Sequence, residues 1–354
     1  MPAPAPIDCD LHPSMPGLPA LMPYLDDMWR ETIVRRGVDD LNTIAYPSNS
    51  PLTARADWRD ERGKPASTAE RLGKEALDPF GTSIAICNCL YGVQATFSED
   101  FGAAMARAVN DWIVQEWLDR DPRLRASIVV PQQNAELAVA EIERCAPDRR
   151  FVQVMLLVSG ELPLGRRQNW PIYAAAERHG LPIGIHAGST YRHPNTPVGW
   201  SSYLSEEYIN QAGAFQTQLT SLVTEGVFAK FPELTVVLME SGVSWLPGYL
   251  WRLTKFWRGL RHEVPWVADP PATIVRERVR LTLQPFDGPP DPATITRFME
   301  HMQSDELLLF STDYPHWQFE GTAAIPEGLD PALAQKIMVD NPLRTYARLR
   351  ETIS

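Results

Sequence analysis

Eight short apolar runs punctuate the chain: Ile7–His12, Ser83–Cys89, Arg125–Val130, Phe151–Leu157, Pro182–His186, Thr235–Glu240, Val279–Gln284 and Leu307–Thr312. Most are continuous rather than alternating, which predicts strands covered on both faces, as in a parallel sheet flanked by helices. Between most of them apolar residues recur at helical spacing. Phe101–Leu118 sets Met105, Val109, Trp112, Ile113 and Trp117 along one stripe. Helices are also predicted over Glu136–Cys145, over Pro171–His179 with Gly180 as its stop, and within Ser205–Lys230. Val243–Leu260, Pro292–Met302 and Pro331–Val339 complete the set. Eight strands with following helices predict an α/β fold, a (β/α)8 TIM barrel forming one domain over 1–354. The exception is 13–78, rich in Pro, Arg and Asp, with no strand pattern and one short helix near Leu21–Thr32. It reads as a long insertion after the first strand, a lid or an oligomer interface.

In such a barrel the chemistry lies at the C-terminal ends of the strands. Asp10 and His12 close the first strand, two residues apart and therefore on one face, with Asp8 below them. His186 closes the fifth strand, Glu240 the sixth, and Asp313 follows the eighth, with His316 three residues on. Carboxylates and imidazoles converging on one buried rim are costly unless a divalent metal compensates them. Asp10, His12, His186 and Asp313 are thus candidate metal ligands. The plainer readings are core histidines, a carboxylate supporting the ligands, and a helix cap. Glu240 reads as a ligand, a general base or a salt-bridge partner to a barrel arginine. His316 reads as a ligand to a second ion, a substrate contact or a packing residue beside Trp317. Trp200 and Trp317, in loops after the fifth and eighth strands, are candidate apolar walls for a substrate. His193 is a further candidate contact, although a solvated face is the favoured reading for it and for Glu206-Glu207. A solvated role is also expected for His179, His262 and His301.

Composition narrows the partners. Thirty-three Lys and Arg stand against 44 Asp and Glu, a net charge of -11, with no basic stretch. Nucleic acid and anionic membranes are therefore not expected. Cys9, Cys87, Cys89 and Cys145 lack CxxC spacing, so neither a disulfide framework nor an iron–sulfur site is expected. The N-terminal Met-Pro-Ala-Pro-Ala-Pro has no signal-peptide character. A cytoplasmic location is the default expectation.

On these motifs the chain resembles the amidohydrolase-related family that includes aminocarboxymuconate-semialdehyde decarboxylase and the resorcylate decarboxylases. Asp8-Cys9-Asp10-Leu11-His12 is similar to the family's first-strand Asp-x-His-x-His, with Asp10 in place of the first His. Ile185-His186-Ala187-Gly188 resembles the fifth-strand motif, and Phe231-Pro232-Glu233-Leu234 the lead into the sixth strand. Ser311-Thr312-Asp313-Tyr314-Pro315-His316 resembles the eighth-strand motif, and Asn341-Pro342 with Tyr346 the C-terminal one. The family usually carries a His where Glu240 stands. Glu-Ser-Gly-x-x-Trp-Leu-Pro, with Asp-Tyr-Pro-His-Trp, resembles a subgroup that includes non-haem dinuclear-metal oxygenases.

That resemblance and the hard, anionic donor set lead first to a dinuclear iron (or Fe/Mn) monooxygenase. Glu240 and His316 would help hold the second ion. The enzyme would hydroxylate a C–H bond of a hydrophobic organic acid or acyl derivative. Its electrons would come from a separate reductase. The alternative is a hydrolase or non-oxidative decarboxylase with a single Zn or Mn ion, Glu240 acting as general base. A third reading is a non-catalytic metal-binding subunit. A homo- or hetero-oligomer is expected.

Overall fold

The computed structural model describes residues 5–47, 54–59, 65–289, 291–317 and 325–353. Eight parallel strands follow one another in sequence order. They are β1 (Ile7–Leu11), β2 (Ile84–Cys87), β3 (Leu124–Val129), β4 (Phe151–Ser159), β5 (Ile183–Ser189), β6 (Val236–Met239), β7 (Val279–Thr282) and β8 (Leu308–Leu309). Backbone bonds close β8 onto β1, from Cys9 N–H to Phe310 O (2.9 Å) and from His12 N–H to Tyr314 O (2.8 Å). This is the expected α/β TIM barrel. Almost every strand residue is buried, as continuous apolar runs require.

The helices follow their local signals. α1 (Asp27–Arg36) lies in the insertion and stops at Gly37, whose φ of 62° is the left-handed stop glycine tolerates. α2 (Glu99–Ile113) starts at Ser98, whose hydroxyl accepts the Phe101 N–H, and buries Met105, Val109, Trp112 and Ile113. α3 (Ala135–Cys145), α4 (Trp170–Arg178), α5 (Leu204–Thr224) and α6 (Leu246–Leu260) follow β3 to β6. α7 (Pro271–Arg278) was not anticipated; it buries only Pro271 and Val275, and its charged end hides the apolar period. α8 (Pro292–Met302) matches the predicted span and is capped by Asp291.

β8 is shorter than the sequence suggests. Phe310 N–H bonds Ile337 O (2.9 Å) instead of continuing the ladder, and the chain turns at Asp313 with φ 54°. Glu240, after β6, also has φ 54°. Two non-glycine residues in the left-handed region cost on the order of 1–3 kcal/mol each, and such strain gathers at functional sites.

The described insertion returns over the C-terminal rim. Ser189 N–H bonds Ile44 O (2.8 Å), Arg55 N–H bonds Pro315 O (3.0 Å), and Ser14 N–H bonds Ala66 O (3.0 Å). Trp58 packs on Tyr314 at 4.8 Å between ring centroids, with the Arg55 guanidinium 4.0 Å above Trp58. Among the described residues no helix is long and apolar enough to cross a membrane. All four cysteines are buried and free.

Candidate metal centre

Strand alternation carries Asp8, Asp10 and His12 to the barrel interior, and β5, β6 and β8 bring His186, Glu240 and Asp313 to the same rim. Donor atoms of Asp10, His12 and His186 lie within 4.8 Å of one another, as do those of His12, Glu240, Asp313 and His316. His12 belongs to both groups, so the six side chains form one centre. His12 Nε2 is 2.9 Å from Asp313 Oδ1 and 3.4 Å from Asp10 Oδ1. His186 Nε2 is 3.7 Å from Asp10 Oδ2 and 3.6 Å from Glu240 Oε2. His316 Nδ1 is 2.8 Å from the same Asp313 Oδ1, and its ring stacks on His12 at 4.7 Å.

The imidazoles are oriented from behind. His12 Nδ1 meets Asn88 O (3.0 Å) and His186 Nδ1 meets Ala187 O (2.7 Å); in His186 this puts the proton on Nδ1 and turns the Nε2 lone pair inward, whereas His12 also carries a proton on Nε2 towards Asp313. Asp10 is held by a buried polar chain. Asn88 Nδ2 donates to Asp10 Oδ1 (2.8 Å), Ser127 Oγ to Asn88 Oδ1 (2.5 Å), Gln153 Nε2 to Ser127 Oγ (2.8 Å) and Tyr346 Oη to Gln153 Oε1 (3.1 Å). Asp8 lies one layer down and accepts from Thr312 Oγ1 (2.6 Å).

Burial and crowding set the electrostatics. Burial, opposed by His12, lifts Asp10 to about 7. Burial drives His186 down to about 3, helped by the charge on His12. Burial works against charge on His12, but Asp10 and Asp313 outweigh it and push His12 up to about 9. Burial also works against Asp313, yet His316 and His12 hold its carboxyl well below the usual range. Glu240 is raised well above it by burial, then by Asp313, Asp10 and Glu207. Three inward atoms, Asp10 Oδ2, His186 Nε2 and Asp313 Oδ2, are buried without a hydrogen-bond partner among the described residues. One neutral imidazole nitrogen and two carboxylate oxygens, buried and unpartnered in one cluster, fit a divalent cation, which would displace the proton that His12 holds here.

The structure brings Asp10, His12, His186, Glu240, Asp313 and His316 together. The other candidates are not among the described residues that line the cavity beside them. Trp200 and Trp317 are about half exposed, Trp200 against Tyr46. His193 is exposed, its ring nitrogens near Gly160 O and Pro194 O. The cavity beside the centre, about 290 Å³, is instead lined by His12, Met15, Leu90, Tyr91, Pro315 and His316, among others.

Glu207 corrects the expectation of a solvated pair. Glu206 bonds the backbone N–H groups at the start of α5, whereas Glu207 is buried and accepts from Gln211 Nε2 (2.9 Å). Burial raises Glu207 to about 7, with the Gln211 bond opposing. The folded chain therefore holds a proton that the unfolded chain releases above its ordinary value near 4.5. Stability falls as pH rises through that window. Glu207→Gln is expected to match the wild type in acid and to exceed it above pH ~7, by roughly 3 kcal/mol at most. Denaturant titrations across pH check this; parallel curves would refute it. Sequence reasoning also passed over Asn88, although Cys-Asn-Cys at a strand end is a signal of the same kind as His186.

A sequence model of the family described as "Amidohydrolase" matches residues 7–348. The chain belongs to the amidohydrolase family. A gamma-resorcylate decarboxylase of Rhodococcus jostii is 26% identical over 262 residues, 68% of this chain and 74% of that protein. Among solved structures, an amidohydrolase of Mycobacterium avium subsp. paratuberculosis superposes with a TM-score of 0.72 at 20% identity, covering 98% and 100% of the two chains. A dihydroxybenzoic acid decarboxylase of a Polaromonas species, solved with manganese and 2-nitroresorcinol, gives 0.65 at 20% identity, covering 97% of each.

These relatives overturn the expectation of a monooxygenase. Decarboxylation without oxidation uses neither dioxygen nor electrons, so the expected reductase loses its basis, as does the Fe or Fe/Mn pair. The physical error lay in counting ions from donors. The donors form two overlapping groups that share His12, and donor atoms alone do not fix the number of ions.

Proposed function

We propose that this amidohydrolase is a non-oxidative decarboxylase of an aromatic, hydroxyl-bearing carboxylic acid, dependent on a single Mn or Zn ion. Asp10, His12, His186 and Asp313 would hold the ion. The observation that carries this reading is the set of inward, unpartnered, buried atoms on Asp10, His186 and Asp313. The decarboxylase relatives supply the reaction class.

When bound, a divalent ion supplies positive charge that fixes the acid's oxygens and steadies negative charge spreading from the ring. The chain's own groups do the rest. Met15, Leu90, Tyr91 and Pro315 offer the ring an apolar slot and exclude water. Asp313, kept ionised and hydrogen-bonded by His316, stays a fixed anion. Glu240, whose burial favours the protonated carboxyl, delivers its proton to the ring carbon that bears the carboxylate. The carbon–carbon bond breaks, carbon dioxide leaves, and the Glu240 carboxylate recovers a proton from solvent.

The test is product balance under argon. Dihydroxybenzoic acids should yield one carbon dioxide per phenol formed, with no reductant, and chelation should stop the reaction until Mn or Zn is restored. A strict need for dioxygen, or release of an amine or alcohol from an amide or ester instead, would overturn the proposal.

A further inference from the structure

A second polar cavity lies on the same rim, over the ends of β2 to β5. It measures about 30 Å³, room for one or a few water-sized groups. Its walls include Gln94 after β2, Gln132 and Gln133 after β3, Gly160 and Glu161 after β4, and Arg192 after β5. Buried polar atoms normally find partners, so those that do not are informative. Of twelve such atoms among the described residues, three belong to the metal centre, and four belong to residues lining this cavity. The four are Gln94 Nε2, Gln133 Oε1, and Nε and Nη1 of Arg192.

Arg192 is set in place. Its side chain is only 9% exposed, its Nη2 donates to Thr96 O (3.1 Å), and its guanidinium lies 3.3 Å from the centroid of the Phe97 ring. Its Nε is 3.1 Å from Glu161 Oε1, but not aligned for a hydrogen bond, and Glu161 is 55% exposed. Glycines make room for the amides. A Cβ at Gly102 would meet Gln133 Nε2 at 2.5 Å, and one at Gly160 would meet Gln132 Nε2 at 2.7 Å.

We propose that this cavity is a binding site for a small oxyanion of the carboxylate or hydrogencarbonate class. A permanent cation and the Gln94 amide present donors, which calls for an anion with several acceptor oxygens. Gln133 Oε1 calls for one donor as well, because its own Nε2 already bonds Thr96 O (3.1 Å). Hydrogencarbonate satisfies both demands, a simple carboxylate all but the last, and chloride only the charge. The oxyanion is either free or the end of a larger acid reaching in past the exposed Glu161 and Leu162. The inference stands whether or not the metal centre decarboxylates.

The test is the unfolding midpoint of the full chain, with sodium hydrogencarbonate, acetate or butyrate exchanged for chloride at constant ionic strength and pH. The expected result is a rise of ~2 °C in hydrogencarbonate and a smaller one in acetate, absent in Arg192→Gln. Glu161→Gln, which removes an exposed competing carboxylate, should lower the half-maximal concentration ~3-fold and reports even if Arg192→Gln does not fold. Butyrate acting as well as acetate assigns the site to the end of a larger acid; hydrogencarbonate acting alone assigns it to the free ion. Equal midpoints in all four salts, or a shift in Arg192→Gln as large as in wild type, would mean that the donors hold only water and would overturn the proposal.

Discussion

His186→Ala is expected to lower affinity for the divalent ion by at least ~10³-fold and to abolish turnover. Loss of a supporting contact alone typically costs 10–100-fold, and His186 offers its Nε2 directly. Its environment gives it no other evident use. The ring is fully buried, Nδ1 is committed to Ala187 O, and Nε2 faces Asp10 and Glu240 without a hydrogen bond. Burial keeps the ring neutral, the form in which imidazole binds metals. Equilibrium dialysis against Mn, compared with wild type, measures the effect. A variant that keeps full metal affinity would remove His186 from the centre.

Glu240→Gln is expected to separate binding from chemistry. The amide keeps the shape and loses the proton, so kcat should fall ~10²–10⁴-fold with KM and metal content little changed. In the wild type only the protonated carboxyl delivers a proton, and burial raises its value above the ordinary one. Activity should therefore fall as pH rises through that value, and the residual activity of the variant should lack this limb. If the variant instead loses metal in proportion to activity, Glu240 is a ligand and the proton must come from elsewhere.

Much of this centre was legible in the sequence because it rests on local rules. A two-residue step puts Asp10 and His12 on one face, and the ends of strands share one rim. Those rules also located His186, Glu240 and Asp313, which the fold does bring together. What escaped depends on distant chain. Glu207 sits on a helix whose apolar period is diluted by polar residues, so its burial could not be read from its neighbours in sequence. β8 ends early because Phe310 pairs with Ile337, a contact no local pattern encodes. Trp200 was proposed as a substrate wall from its place in the loop after the fifth strand; its contact with Tyr46 depends on how the insertion folds back and was not legible there. The monooxygenase expectation failed for another reason. Donor types constrain which ions suit a site, but they do not count the ions or choose the reaction.

The most direct test of the central claim is the metal content of the active wild-type chain after reconstitution with Mn and removal of free ion. One ion per chain, rising and falling in proportion to carbon dioxide release under argon, is the predicted result. Two tightly held ions per chain, or full activity in chain stripped of metal, would contradict it.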